Sequence, residues 1–171
     1  MDELFREDLR KEYKQSHKAK YIDDLIKIIT DSEPDFLVTL TFAYPDINEW
    51  IARAKLKTWL KWVNQYIYGR RSKERLVVFS FREYRGSYGL HYHLIIKDPN
   101  IQNKKDIADI FKRKWLKISG TGHSSFRDRD LITDEFKWFK KVWNYENLTE
   151  YLNKEAREQK MDNLEVECTN Y

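Results

Sequence analysis

Apolar positions along this chain recur with two rhythms, and the changes of rhythm divide it into elements. Residues 1–30 are rich in charge, and only their second half carries an apolar stripe, from Tyr21, Ile22, Leu25, Ile26 and Ile29. That pattern predicts a helical lead-in whose first dozen residues fray. From Phe36 to Phe42 the run Phe-Leu-Val-Thr-Leu-Thr-Phe is apolar and β-branched and is bounded by Pro34 and Pro45, which predicts a buried central strand. Asp46 is placed to cap a helix that runs to Tyr68. Ile47, Ile51, Ala52, Leu56, Trp59, Leu60 and Val63 recur there at helical spacing, and Gly69 stops it.

Leu76 to Glu83 and Leu90 to Ile96 read as two further strands, and the turn-forming stretch Arg85-Gly-Ser-Tyr-Gly89 between them predicts a β-hairpin. Asn103 or Asp106 opens an amphipathic helix to Ile118, which Gly120 and Gly122 break before an expected strand at 124–132. Residues 134–143 fit a strand or a helix equally well. A last helix from Glu146 toward Gln159 carries Leu148, Tyr151 and Leu152, and the polar remainder reads as loosely held. With no internal repeat and no linker, the chain divides into a lead-in (1–30), one folded unit (31–160) and a tail (161–171). Strands alternating with helices around an adjacent hairpin imply an α+β fold, an antiparallel central sheet with packed helices of the ferredoxin or RRM type.

Composition narrows the function. The length of 171 residues suits one domain and leaves no room for a motor domain beside it. No apolar run approaches the roughly 20 residues that cross a bilayer, and the first 20 residues hold no signal-peptide core, so an intracellular protein without a membrane partner is expected. Cys168 is the only cysteine, so any metal must be held by His and carboxylate. A net charge of +4 permits an anionic partner without demanding one. The six Trp residues can stack on unpaired bases, although most are expected to fill the core.

The sharpest chemical signal is His91-Tyr92-His93. Residues two apart on a strand point the same way and lie roughly 6.5–7 Å apart, close enough to share one ion. If the hairpin closes with Tyr84 facing Leu90, Glu83 falls opposite His91 on the same face and adds a carboxylate. Two imidazoles and a carboxylate suit Mn²⁺ or Mg²⁺ acting on a phosphodiester, and Zn²⁺ less well. The plainer alternative is a pair of partly buried histidines satisfied by their neighbours. A nucleophile is offered by Tyr151, with Lys154 three residues on and on the same helix face, where an ammonium can neutralise phosphate charge or favour the phenolate. Taken alone, a Tyr flanked by Leu148 and Leu152 is more often a core residue.

In this order the motifs resemble the HUH endonucleases, especially the rolling-circle replication initiators, or Rep proteins. Phe36 to Phe42 resembles that family's first, structural motif, His91-Tyr92-His93 its metal motif with Glu83 as the acidic ligand, and Tyr151 with Lys154 its Tyr-x-x-Lys helix. The resemblance spans residues 36–156. It departs from the pattern in the aromatic Tyr92 and in having no second tyrosine one turn after Tyr151, which implies a one-tyrosine enzyme with Tyr145 as fallback. No phosphate-binding loop is present in the sequence, so a helicase would be a separate partner.

The resemblance implies a nickase that forms a 5′-phosphotyrosine on single-stranded DNA at an origin or hairpin, religates strands, and works with host replication proteins. The setting would be a bacterial or archaeal cytoplasm, or a nucleus for a eukaryotic virus. Arg82, Arg85 and Tyr88 beside the site, and the basic segment holding Lys112 and Lys114, are the expected DNA contacts, and His123 is expected to cap a loop. Transposases and relaxases of the same superfamily, and a non-catalytic RRM-like module, are the competing readings.

Overall fold

The computed structural model describes residues 3–42, 44, 46–85, 89–97, 104–119, 138–142, 144–157, 164 and 169. Their elements run α1 (Glu3–Asp31), β1 (Phe36–Thr41), α2 (Glu49–Tyr68), β2 (Val77–Arg85), β3 (Gly89–Lys97), α3 (Lys104–Ser119), β4 (Phe139–Lys141) and α4 (Tyr145–Arg157). The strands form a four-stranded sheet in the order β2-β3-β1-β4, antiparallel at every pairing. The fold is therefore α+β, a central antiparallel sheet with packed helices. Residues 139–141 resolve the ambiguity of their region as a short edge strand, while the strand expected at 124–132 and His123 lie outside the described residues.

One boundary differs from expectation. Asn48, not Asp46, caps α2: its backbone is extended and its side chain accepts a hydrogen bond from the N–H of Trp50 at 2.8 Å. Gly69 ends the helix at φ 87°, a conformation that side chains rarely adopt, and its N–H returns to the carbonyl of Gln65.

Alternation along the strands gives the sheet two apolar faces, and helices cover both. Phe36, Val38 and Leu40 of β1 join Leu90, Tyr92, Leu94 and Ile96 of β3 under α2 and α3. Trp59 and Trp115 are fully buried in this layer, and each indole N–H donates to a backbone carbonyl, Phe111 at 3.1 Å and Thr41 at 2.7 Å. On the other face Phe79, Phe81 and Ile95 pack against Leu25, Ile26 and Ile29 of α1 and Leu148 and Leu152 of α4. The second half of α1 is thus part of the folded unit rather than a lead-in.

The C-terminal segment also attaches to the sheet. Leu164 makes an antiparallel bridge with Phe81, and the hydroxyl of Thr169 accepts from the N–H of Ser80 at 3.1 Å, along the outer edge of β2.

A buried amide ties α2 to the start of β2. Asn64 donates to the carbonyl of Leu60 at 2.9 Å and accepts from the N–H of Leu76 at 2.8 Å. Asn64→Ala leaves that buried N–H without its acceptor, and denaturant unfolding should show a loss of about 1–3 kcal/mol.

Candidate metal centre

The hairpin closes with Tyr84 opposite Leu90 and Glu83 opposite His91, the register that adds a carboxylate to the two imidazoles. Its other strand, β3, also pairs with β1, which sets Thr41 opposite His91 and Thr39 opposite His93. His91 and His93 therefore project from an interior strand, on the face that carries Phe81 and Ile95. The two rings stand 4.9 Å apart, nearly perpendicular. Oε2 of Glu83 lies 3.1 Å from Nε2 of His91 and 2.9 Å from Nε2 of His93. One ligand atom from each residue falls within 4.8 Å of the others, a spacing that one ion can span.

The outer ring nitrogens decide what this cluster can hold. Nδ1 of His91 lies 3.2 Å from the carbonyl oxygen of Gly89, which can only accept, so a hydrogen bond there requires the tautomer protonated on Nδ1. A neutral His91 ring then turns the lone pair of Nε2 toward a carboxylate that also only accepts. Two acceptors at that separation repel unless a cation or a second proton lies between them. Nδ1 of His93 faces Oγ1 of Thr39 at 3.2 Å, so that ring too is oriented by a partner behind it. His91 and Glu83 are buried, and His93 is more open to solvent. An imidazole held by its rear nitrogen, with its front nitrogen converging on a carboxylate, is what a divalent-ion site requires, and these residues fit one.

Thr39 was not foreseen from the sequence. It sits on a strand 54 residues away from His93, and only the long-range pairing of β1 with β3 brings the two together. Thr39→Val removes the partner while keeping the shape. Calorimetric titration with Mn²⁺ should show affinity lowered about tenfold to a hundredfold, and Thr39→Ser should recover most of it.

The other predicted residues are distributed as follows. Tyr151 lies on α4, half-buried beside Leu148, Leu152 and the α1 residues, on the same face of the sheet as the Glu-His-His cluster. Lys154 follows it in α4, its side chain outside those described, and Tyr145 is exposed at the start of that helix. Arg82 is adjacent to Glu83 and so projects to the opposite face, where it pairs with Glu49 at the head of α2. Lys112 and Lys114 also stand across the sheet, on α3, and the ammonium of Lys114 lies 5.4 Å from the centre of the Tyr66 ring. The structure thus brings Glu83, His91 and His93 together, sets Tyr151 on the same face of the sheet, and places Arg82, Lys112 and Lys114 on the other. The side chain of Arg85, and Tyr88 altogether, lie outside the described residues.

A scan of protein-family models, a search of curated proteins and a search of solved structures each return no match for this chain. Among the described residues no helix is long and apolar enough to cross a membrane.

Proposed function

We propose that this chain is a metal-dependent endonuclease and strand transferase acting on single-stranded DNA, of the replication-initiator kind. The observation that carries the reading is the convergence of Glu83, His91 and His93 on one point, on the sheet face where α4 presents Tyr151. These three residues would hold Mn²⁺ or Mg²⁺, which when bound supplies Lewis-acid polarisation of a phosphodiester oxygen.

In the reaction the phenolic oxygen of Tyr151 bonds to phosphorus and the bond from phosphorus to the 3′ oxygen breaks. The phenolic proton is given up, the departing oxygen takes up a proton as a free 3′-OH, and the 5′ end remains as phosphotyrosine. Lys154 is assigned to favouring the phenolate, on its spacing from Tyr151. Run in reverse, with a 3′-OH as nucleophile, the same residues join strands without a separate energy source. A separate helicase and host replication proteins are the expected partners, and an intracellular setting follows from that role. Transposon ends or a transfer origin would use the same site, and the preferred substrate separates those readings.

A non-catalytic RRM-like module is opposed by the side chains at the site. Such a module stacks bases on rings borne by the sheet, whereas Glu83, His91 and His93 hold these strand positions here. Incubation with Mn²⁺ and a pool of single-stranded oligonucleotides, followed by a denaturing gel, tests the reading. A protein–DNA adduct that mapping places on Tyr151, and that EDTA prevents, is the expected result. Strand binding without any adduct from a well-sampled pool would overturn it.

A further inference from the structure

Helix α2 has an outward side that the metal centre does not use. Trp50, Arg53, Lys57 and Lys61 recur at spacings of three and four residues and so line one stripe. The buried side of the helix is formed by Ala52, Leu56, Trp59 and Val63. Trp50 is 74% exposed, an unusual position for the largest apolar side chain, and Lys57 and Lys61 are exposed below it. Tyr84, also exposed, lies two residues from Arg82, whose ion pair with Glu49 meets the head of the stripe.

Charge is concentrated here as well. Within α2 four cations, Arg53, Lys55, Lys57 and Lys61, face one acid, Glu49, a local surplus of three, and that acid is paired with Arg82. Lys55 is turned inward, donating to the carbonyl of Ile118, which leaves the outer row to Arg53, Lys57 and Lys61.

We propose that this stripe is a second docking surface for single-stranded nucleic acid, with an unpaired base stacked on Trp50 and the phosphates of its flank on Lys57 and Lys61. An unpaired strand matches both halves of the stripe, because each nucleotide offers a π-face and a negative charge. A duplex would leave the indole without a base face. That the strand docked here is the flank of the one cut at Glu83, His91 and His93 rests on the nuclease reading. Continuity supports it: Arg82 and Glu83 are neighbours in β2, so the head of the stripe and the metal centre occupy opposite faces at the same end of the sheet. A strand leaving the centre reaches Trp50 by rounding that end.

The test is fluorescence anisotropy of the full chain with a labelled oligothymidylate of about 16 nucleotides, in EDTA and across a salt series. Trp50→Ala should weaken binding about tenfold. The double variant Lys57→Gln/Lys61→Gln should lower the slope of log affinity against log salt by about 1.4. Both changes touch exposed side chains, and melting curves should match those of the parent protein. Unaltered affinity and slope in these variants would overturn the surface, as would an equal effect of Trp50→Ala on a duplex of the same length. Because no metal is present, a failure to form any adduct with Mn²⁺ would sink the nuclease reading and leave this result standing, and the reverse pattern would sink the surface alone.

Discussion

Tyr151→Phe should give a protein that folds, binds Mn²⁺ and binds single-stranded DNA, yet forms no covalent adduct. The change deletes one oxygen and keeps the ring that packs with Leu148, Leu152 and the α1 residues, so unfolding free energy should move by less than about 1 kcal/mol. Chemistry should respond far more, because no phenol remains to take the phosphate. Adduct formation should fall by at least about a thousandfold, to the background of the gel. Tyr145, exposed at the first turn of α4, makes the experiment discriminating. An adduct that persists in Tyr151→Phe and maps to Tyr145 would move the nucleophile by six residues in the sequence; one that persists on neither tyrosine would sink the mechanism.

Mn²⁺ should stabilise the fold, and Glu83→Gln should abolish the effect. At a free concentration of about one hundred times Kd, a ligand that binds only the folded state contributes about 2.7 kcal/mol. For a chain of this size each kcal/mol raises the melting temperature by about 2–4 °C, so a shift of about 5–11 °C is expected by calorimetry. Glutamine is the informative replacement because its amide fills the same space and can donate to the imidazole nitrogens that the carboxylate now faces. The metal-free variant should therefore melt close to the metal-free parent. An equal Mn²⁺ shift in Glu83→Gln would show that the ion binds elsewhere.

How much of this could be read beforehand depended on the range of each interaction. The hairpin was legible, and once Tyr84 is set opposite Leu90, alternation alone places Glu83, His91 and His93 on one face. The same alternation placed Arg82 on the far side, a consequence that proximity in sequence had obscured. Lys112 and Lys114 could not be positioned, because which face of the sheet α3 covers depends on its packing with α2. Thr39 became visible only with the pairing of β1 to β3. The α2 cap was misplaced at Asp46 for a local reason: Asn48 is an equally good capping residue, and only the end of the loop selects between them. Nor did polarity in the tail foretell the two contacts of Leu164 and Thr169, which β2 attracts because its outer edge would otherwise stand unpaired.

The place of β3 in the sheet gives Glu83, His91 and His93 unequal freedom. Its backbone is bonded on both sides, by β1 and by β2, so the two imidazoles ride on a strand whose opening would require both neighbours to part. Glu83 belongs to an edge strand and lies beyond Phe81, the point at which Leu164 secures that edge. Separation of the hairpin's turn end would carry the carboxylate away while the histidines stay in place. An ion held there would exchange through a state bound by two nitrogens, with the carboxylate the first to leave and the last to return.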